Sequence, residues 1–295
     1  MIASEFIHPE DAAALRQMES IPGFPLLVKK LMSLGYETYT YGLNMASNIR
    51  LSETQLPEIY RLLPPICEKL DIPVPEFYLK MDPHPNAQTS GDTRIWITVN
   101  SSLIDLLSEE ELISVLAHEC GHIKCRHVLY HIVGEIVSNS IASIGVLGAL
   151  ADPMRLALYY WSRKSELSAD RAAALVTSPE VVANTQARLA GGPFSLTGNL
   201  NISEWAEQAD LYEQIRNGGL WNKTLQTYAV ANQTHPFSAV RVREILKWGE
   251  TDQYKNLANA MNATKELGTM KFCPNCGKAV EEGWTFCQHC GTKIL

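Results

Sequence analysis

Residues 116–123 read Leu-Ala-His-Glu-Cys-Gly-His-Ile, and this octet constrains the chain more than any other stretch. On an α-helix, two imidazoles four positions apart share one face, with the intervening carboxylate beside them. His118 and His122 can then grip one metal ion while Glu119 stands next to it. That use requires a helix, and Ser108-Glu109-Glu110-Glu111 supplies its start. Ser108 as N-cap and Glu111 three residues on form a capping box, and the acidic first turn suits the helix dipole. Leu112, Val115, Leu116, Cys120 and Ile123 form the buried stripe, so Cys120 reads as a small core residue and not as a ligand.

Zinc bound by two histidines takes a third protein ligand, often a carboxylate, and keeps one position open. Glu166 lies downstream in the strongly helical Ser165-Glu166-Leu167-Ser168-Ala169-Asp170. Asp170 falls one turn further on the same face, where it can hydrogen-bond a ligand histidine. Bound zinc lowers the pKa of water toward about 7. Glu119 is then the general base, and peptide-bond hydrolysis is the reaction that follows.

Around this centre, residues 1–74 read as a helical segment that packs on the catalytic part, with Pro9-Glu10-Asp11 opening the first helix and Pro64-Pro65 separating two others. From Pro75 the pattern changes to short strands: Phe77–Met81, then Arg94-Ile95-Trp96-Ile97-Thr98-Val99 after a loop. The second run is expected to be an exposed sheet edge that holds an extended peptide by backbone hydrogen bonds. Asp152-Pro153 reads as the start of the helix that carries Glu166. Residues 136–151 carry no charge but are too few, and too rich in serine and glycine, for a span of about 20 apolar residues. A buried helix is favoured there and surface association left open. Further helices are expected over Ser203–Ile215, Lys223–Asn232 and Pro236–Trp248.

The four cysteines Cys273, Cys276, Cys287 and Cys290 form two C-x-x-C pairs, each followed by glycine. This is the pattern of a four-thiolate zinc ribbon. A piece of about 25 residues has almost no core, so zinc must supply its folding free energy. A closed four-cysteine site leaves no position for chemistry and points to recruitment of a protein partner. The net charge of −7 argues against a nucleic-acid binder. Met1 to Gln17 lack a basic region followed by an apolar run, so a cytoplasmic protein is expected, with membrane association on the cytoplasmic side as the alternative.

Leu116 to Ile123, the following Arg126-His127, Ser162-Arg163 ahead of Glu166 and Asp170, and Thr234-His235-Pro236 followed by Arg241 resemble, in this order, one family. It is the gluzincin group of HtpX-type heat-shock proteases and CAAX prenyl endopeptidases. The resemblance implies that His118, His122 and Glu166 bind zinc, that Glu119 is the catalytic base and that Asp170 supports the ligands. It also implies that His235 and Arg241 stabilise the oxyanion, and that Asn86-Ala87 belongs to the cleft wall. His84, His127 and His131 have no such support and read as structural or solvated.

The expected fold is α+β: a mainly helical zincin domain with a small β-sheet over 75–250, a linker over 251–270 and a zinc ribbon over 271–295. The expected function is a zinc metalloendopeptidase of protein quality control or processing, with one catalytic and one structural Zn2+ and a peptide or unfolded-protein substrate. The alternative is a catalytically latent zinc-binding adaptor that acts through its ribbon.

Overall fold

In the computed structural model, the described residues are 2–24, 26, 28–29, 35–140, 148–219, 237–269, 271–272, 275, 278–280, 285–286, 288 and 290–293. Two compact units divide the chain, Met1–Gly249 and Glu250–Leu295. The first begins with α1 (Pro9–Glu19), whose N-cap His8 accepts the Glu10 N–H through Nδ1. Next come α2 (Tyr36–Ser47), β1 (Ile49–Arg50), α3 (Leu63–Leu70), β2 (Glu76–Lys80), β3 (Ala87–Ser90) and β4 (Trp96–Asn100). The helices that follow are α4 (Glu109–Lys124), α5 (Val128–Ser140), α6 (Gly148–Val176), α7 (Pro179–Gly191), α8 (Ile202–Asn217) and α9 (Ser238–Gly249). Short helical turns complete it. The whole is α+β, mainly helical with a small sheet.

The capping box starts α4 as its residues dictate: Glu111 N–H donates to Ser108 Oγ, and Ser108 N–H donates to Glu111 Oε2 at 2.9 Å. Pro64-Pro65 lie in the first turn of α3 and do not break a helix, because the missing N–H groups are unpaired there in any case. Asp152-Pro153 likewise lie inside α6, which has already begun at Gly148. Within the uncharged run, residues 141–147 lie outside the described residues. Among the described residues no helix is long and apolar enough to cross a membrane. Residues 223–232 also lie outside the description.

The four-stranded sheet has the order β1-β2-β4-β3. This corrects the expected role of Arg94 to Val99. β4 is an inner strand, paired in parallel with β2 and antiparallel with β3, and all five of its residues are buried. Covering on both faces explains its unbroken apolar and β-branched run, which periodicity alone does not tell from an edge. Arg94 and Ile95 precede the strand, and Arg94 stacks on Tyr41. The edge beside α4 is β3.

α4 packs on α6, and α1, α7 and α9 pack around this pair. Near the start of α1, His8 at 3.9 Å and Arg243 at 2.8 Å hold the Glu244 carboxyl at about 2. A carboxylate depressed in the folded state stabilises above its unfolded pKa, and loses that effect as pH falls through the folded value. Glu244→Gln is therefore expected to be less stable than the parent at pH 6, with the gap closing between roughly pH 4.5 and 2. Urea unfolding across that range measures it, and a pH-independent gap would contradict the assignment.

The second unit comprises α10 (Asp252–Thr269) and an antiparallel pair, β5 (Lys271–Phe272) and β6 (Ala279–Val280). Cys290 is exposed, and Cys273, Cys276 and Cys287 lie outside the described residues.

Candidate metal centre and cleft

One face of α4 carries both histidines, and α6 brings Glu166 against them. The two Nε2 atoms stand 3.1 Å apart. Glu166 Oε2 is 3.4 Å from His118 Nε2, and Oε1 is 3.4 Å from His122 Nε2. One ligand atom from each residue falls within 4.8 Å of the others, and all three residues are buried. Each Nδ1 is occupied elsewhere, by Asp170 Oδ1 at 3.0 Å for His118 and by His127 Nδ1 at 3.0 Å for His122. Three lone-pair donors therefore converge on one buried point. Two imidazoles and a carboxylate are a donor set that suits zinc.

The electrostatics agree. Burial pulls the His118 imidazole down, but Asp170 and Glu166 outweigh it and raise it to about 9. Burial sends His122 the other way, below its ordinary value. Burial also pushes the Asp170 carboxyl up, yet Arg241 holds it below the usual range.

Gly121 sets the spacing of the two helices. A Cβ built there would sit 2.8 Å from Ala172 Cβ and 3.0 Å from Ala169 Cα. Gly121→Ala must push α4 from α6 and draw both histidines away from Glu166. The expected cost is about 1–3 kcal/mol of stability, with weaker zinc binding. Thermal unfolding and chelator competition measure these, and unchanged zinc affinity would show that the spacing is set elsewhere.

Arg241, on α9, is buried, and all three of its nitrogens face carboxylates. Its Nε and Nη2 donate to both Asp170 oxygens at 2.7 and 2.6 Å, and Nη1 lies 3.1 Å from Glu166 Oε2. This geometry differs from the oxyanion contact expected of Arg241, because its N–H groups are turned to carboxylates. His235 lies outside the described residues. Glu119 is buried, and its Oε2 accepts a hydrogen bond from Thr89 Oγ1, on β3, at 2.7 Å.

Two cavities meet at Glu119. One of about 410 Å³ is lined by Val115, Ala173, Val182 and Leu189, together with His118 and Arg241. The other, of about 330 Å³, is lined by His122, Tyr130, His131, Tyr159 and Ser162. Asn86, Ala87 and Glu119 line both, so the expected cleft-wall position of Asn86-Ala87 agrees with the geometry.

His127, read from the sequence as structural or solvated, is buried, and its packing against His122 is what the sequence did not show. Its signal was its place directly beyond the C-terminus of the metal-site helix, where the chain can double back.

Residues 53–249 match the model of peptidase family M48, and residues 272–294 match a zinc-ribbon domain. The plastoglobule-localized metallopeptidase 48 of Arabidopsis thaliana is 34% identical over 267 residues, covering 88% of this chain and 76% of that protein. A protease HtpX homolog of Ralstonia pickettii is 23% identical over 265 residues, covering 78% and 89% respectively. The crystal structure of S. mikatae Ste24p aligns with a TM-score of 0.46 at 15% identity, covering 79% of this chain and 60% of that one. With two thirds of its length matched by the family model, the chain belongs to peptidase family M48, the HtpX-type zinc metallopeptidases, and carries a zinc ribbon toward its C-terminus.

Proposed function

We propose that the chain is a metalloendopeptidase whose catalytic zinc is held by His118 Nε2, His122 Nε2 and Glu166, with Glu119 as general base. The observation that carries this reading is the position of Glu119 at the junction of two cavities, beside both histidines and under the edge strand β3. A cleft that continues on both sides of the base suits cleavage within a chain better than trimming of an end. Zinc at this site supplies Lewis-acid polarisation of the scissile carbonyl and a lowered pKa for the attacking water.

Thr89 Oγ1–H holds Glu119 Oε2, so the proton taken from water goes to Oε1 and passes from there to the leaving amine nitrogen. The substrate is an extended peptide or unfolded protein that adds as a strand to β3, which takes the place first given to Arg94–Val99. Asp170 fixes His118 through Nδ1 and Arg241 fixes Asp170. We therefore assign Arg241 to positioning, and leave the oxyanion contact to His235 on the strength of the resemblance. Cys273, Cys276, Cys287 and Cys290 hold a second, structural zinc, and the ribbon recruits a protein partner. The reading extends to a cytoplasmic enzyme of protein quality control or processing.

The test is cleavage of casein by the purified chain, with chelator, with zinc restored, and beside Glu119→Gln. Cleavage that needs both zinc and Glu119 is the expected result. Absence of any chelator-sensitive cleavage would favour the latent adaptor instead.

A further inference from the structure

The two ligand histidines are braced differently. His118 leans on Asp170 and Arg241, both within the family's matched region, whereas His122 leans on a chain that leaves it. Arg126, just past the end of α4, has a left-handed backbone with φ of 60°. That turn lets the His127 N–H reach back to the His122 carbonyl at 2.9 Å, a helix-terminating geometry usually given to glycine. The same turn lays the His127 ring against His122. His127 Nε2 then meets Asp11 Oδ2, on α1, at 3.0 Å.

Asp11 is 1% exposed. It also accepts from Trp161 Nε1 at 3.0 Å and from Ser168 Oγ at 2.5 Å. Ser168 Oγ in turn accepts the His8 N–H at 2.9 Å. Among the described residues no lysine or arginine lies within ion-pair distance of Asp11; the side chain that pairs with it is His127. A buried carboxylate without a lysine or arginine beside it is costly unless its hydrogen bonds are complete.

The proton assignment has one consistent solution. For Nε2 of His122 to offer a lone pair to a metal, its proton must be on Nδ1. His122 Nδ1–H then donates to His127 Nδ1, which leaves His127 protonated on Nε2 and donating to Asp11. Every donor meets an acceptor, both rings are neutral, and the single negative charge rests on Asp11.

We propose that His127 and Asp11 are positioning residues of the metal site, fixing the tautomer and ring orientation of His122, and that α1 is therefore part of the metal centre. The proposal rests on His122 as a zinc ligand. Outer partners of ligand histidines typically contribute 10- to 100-fold in metal affinity.

The experiment measures zinc release to a competing chelator from the full chain. The phase that disappears in His118→Ala/His122→Ala identifies the catalytic site apart from the ribbon. Asp11→Asn and His127→Leu are each expected to weaken that phase about 10- to 100-fold. The double variant should be no weaker than His127→Leu, since Asp11 acts through His127. His127→Gln, whose amide offers an acceptor to His122 and an N–H to Asp11, should recover most of the loss. Met18→Ala removes a buried packing residue from the same helix, and should lower the unfolding temperature while leaving zinc affinity within about twofold. In the cobalt-substituted protein, Asp11→Asn should move one solvent-exchangeable, paramagnetically shifted imidazole N–H signal and leave the other in place.

Unchanged zinc affinity in Asp11→Asn and His127→Leu overturns the proposal. So does a loss in Met18→Ala equal to that in Asp11→Asn, which would assign the effect to helix docking alone. If no phase disappears in the double histidine variant, the metal-site assignment itself fails and the relay falls with it.

Discussion

Glu119→Gln is expected to keep zinc and to lose about 10³- to 10⁴-fold in kcat, the upper part of the range for general acid–base catalysis. The retention half of this result follows from geometry. Glu119 lies outside the cluster of His118, His122 and Glu166, and a glutamine carbonyl oxygen can still accept from Thr89 Oγ1. The loss follows because an amide cannot take the proton of the attacking water or return it to the leaving nitrogen. At 1.36 kcal/mol per decade, the change amounts to about 4–5 kcal/mol of barrier, with KM little altered. Glu166→Gln should lose zinc and activity together, which separates the base from the ligand. Undiminished cleavage of an unfolded protein by Glu119→Gln would sink the mechanism.

Residues that act through local spacing were legible before any coordinates. The capping box at Ser108 fixed where α4 starts, and the four-residue spacings of His118 with His122 and of Glu166 with Asp170 placed each pair on one helix face. Composition did not reveal the order of strands. Trp96–Asn100 has the residues of any buried strand, and only the long-range parallel pairing with β2 and the placement of β3 outside it show that the free edge of the sheet is elsewhere. Arg241 was expected as an oxyanion partner, and it lines the cavity that His118 and Glu119 also line. Its direction was not legible, because which carboxylate a guanidinium meets depends on how α9 packs against α6. His127 and Asp11 were the least legible, since a left-handed residue at the end of one helix and the docking of another must both be known before the two side chains meet. The same limit applies to Gly121. Nothing in the local sequence gives its reason, which is the close approach of Ala169 and Ala172 across the helix pair.

The position of Arg241 gives the second large expected effect. Arg241→Ala leaves Asp170 and Glu166, 2% and 1% exposed, without the cation that lies between them. Breaking a buried pair from one side typically costs about 3–5 kcal/mol, which for a unit of this size corresponds to a fall of roughly 6–20 °C in the unfolding temperature of the metal-free protein. Saturating zinc should return part of that fall, because an ion at His118, His122 and Glu166 supplies positive charge to Glu166 and binds the folded state alone. The return should be incomplete, because Asp170 faces the far side of His118 and keeps its uncompensated charge. Arg241→Lys should lie between the two, with charge restored but the two-pronged contact with Asp170 lost. Hydrogen exchange of the α4 amides, with and without zinc, reports this unit separately from the ribbon. An oxyanion donor would behave in the opposite way: Arg241→Ala would lower kcat and leave the unfolding of the metal-free protein unchanged, and that outcome would return Arg241 to the reacting atoms.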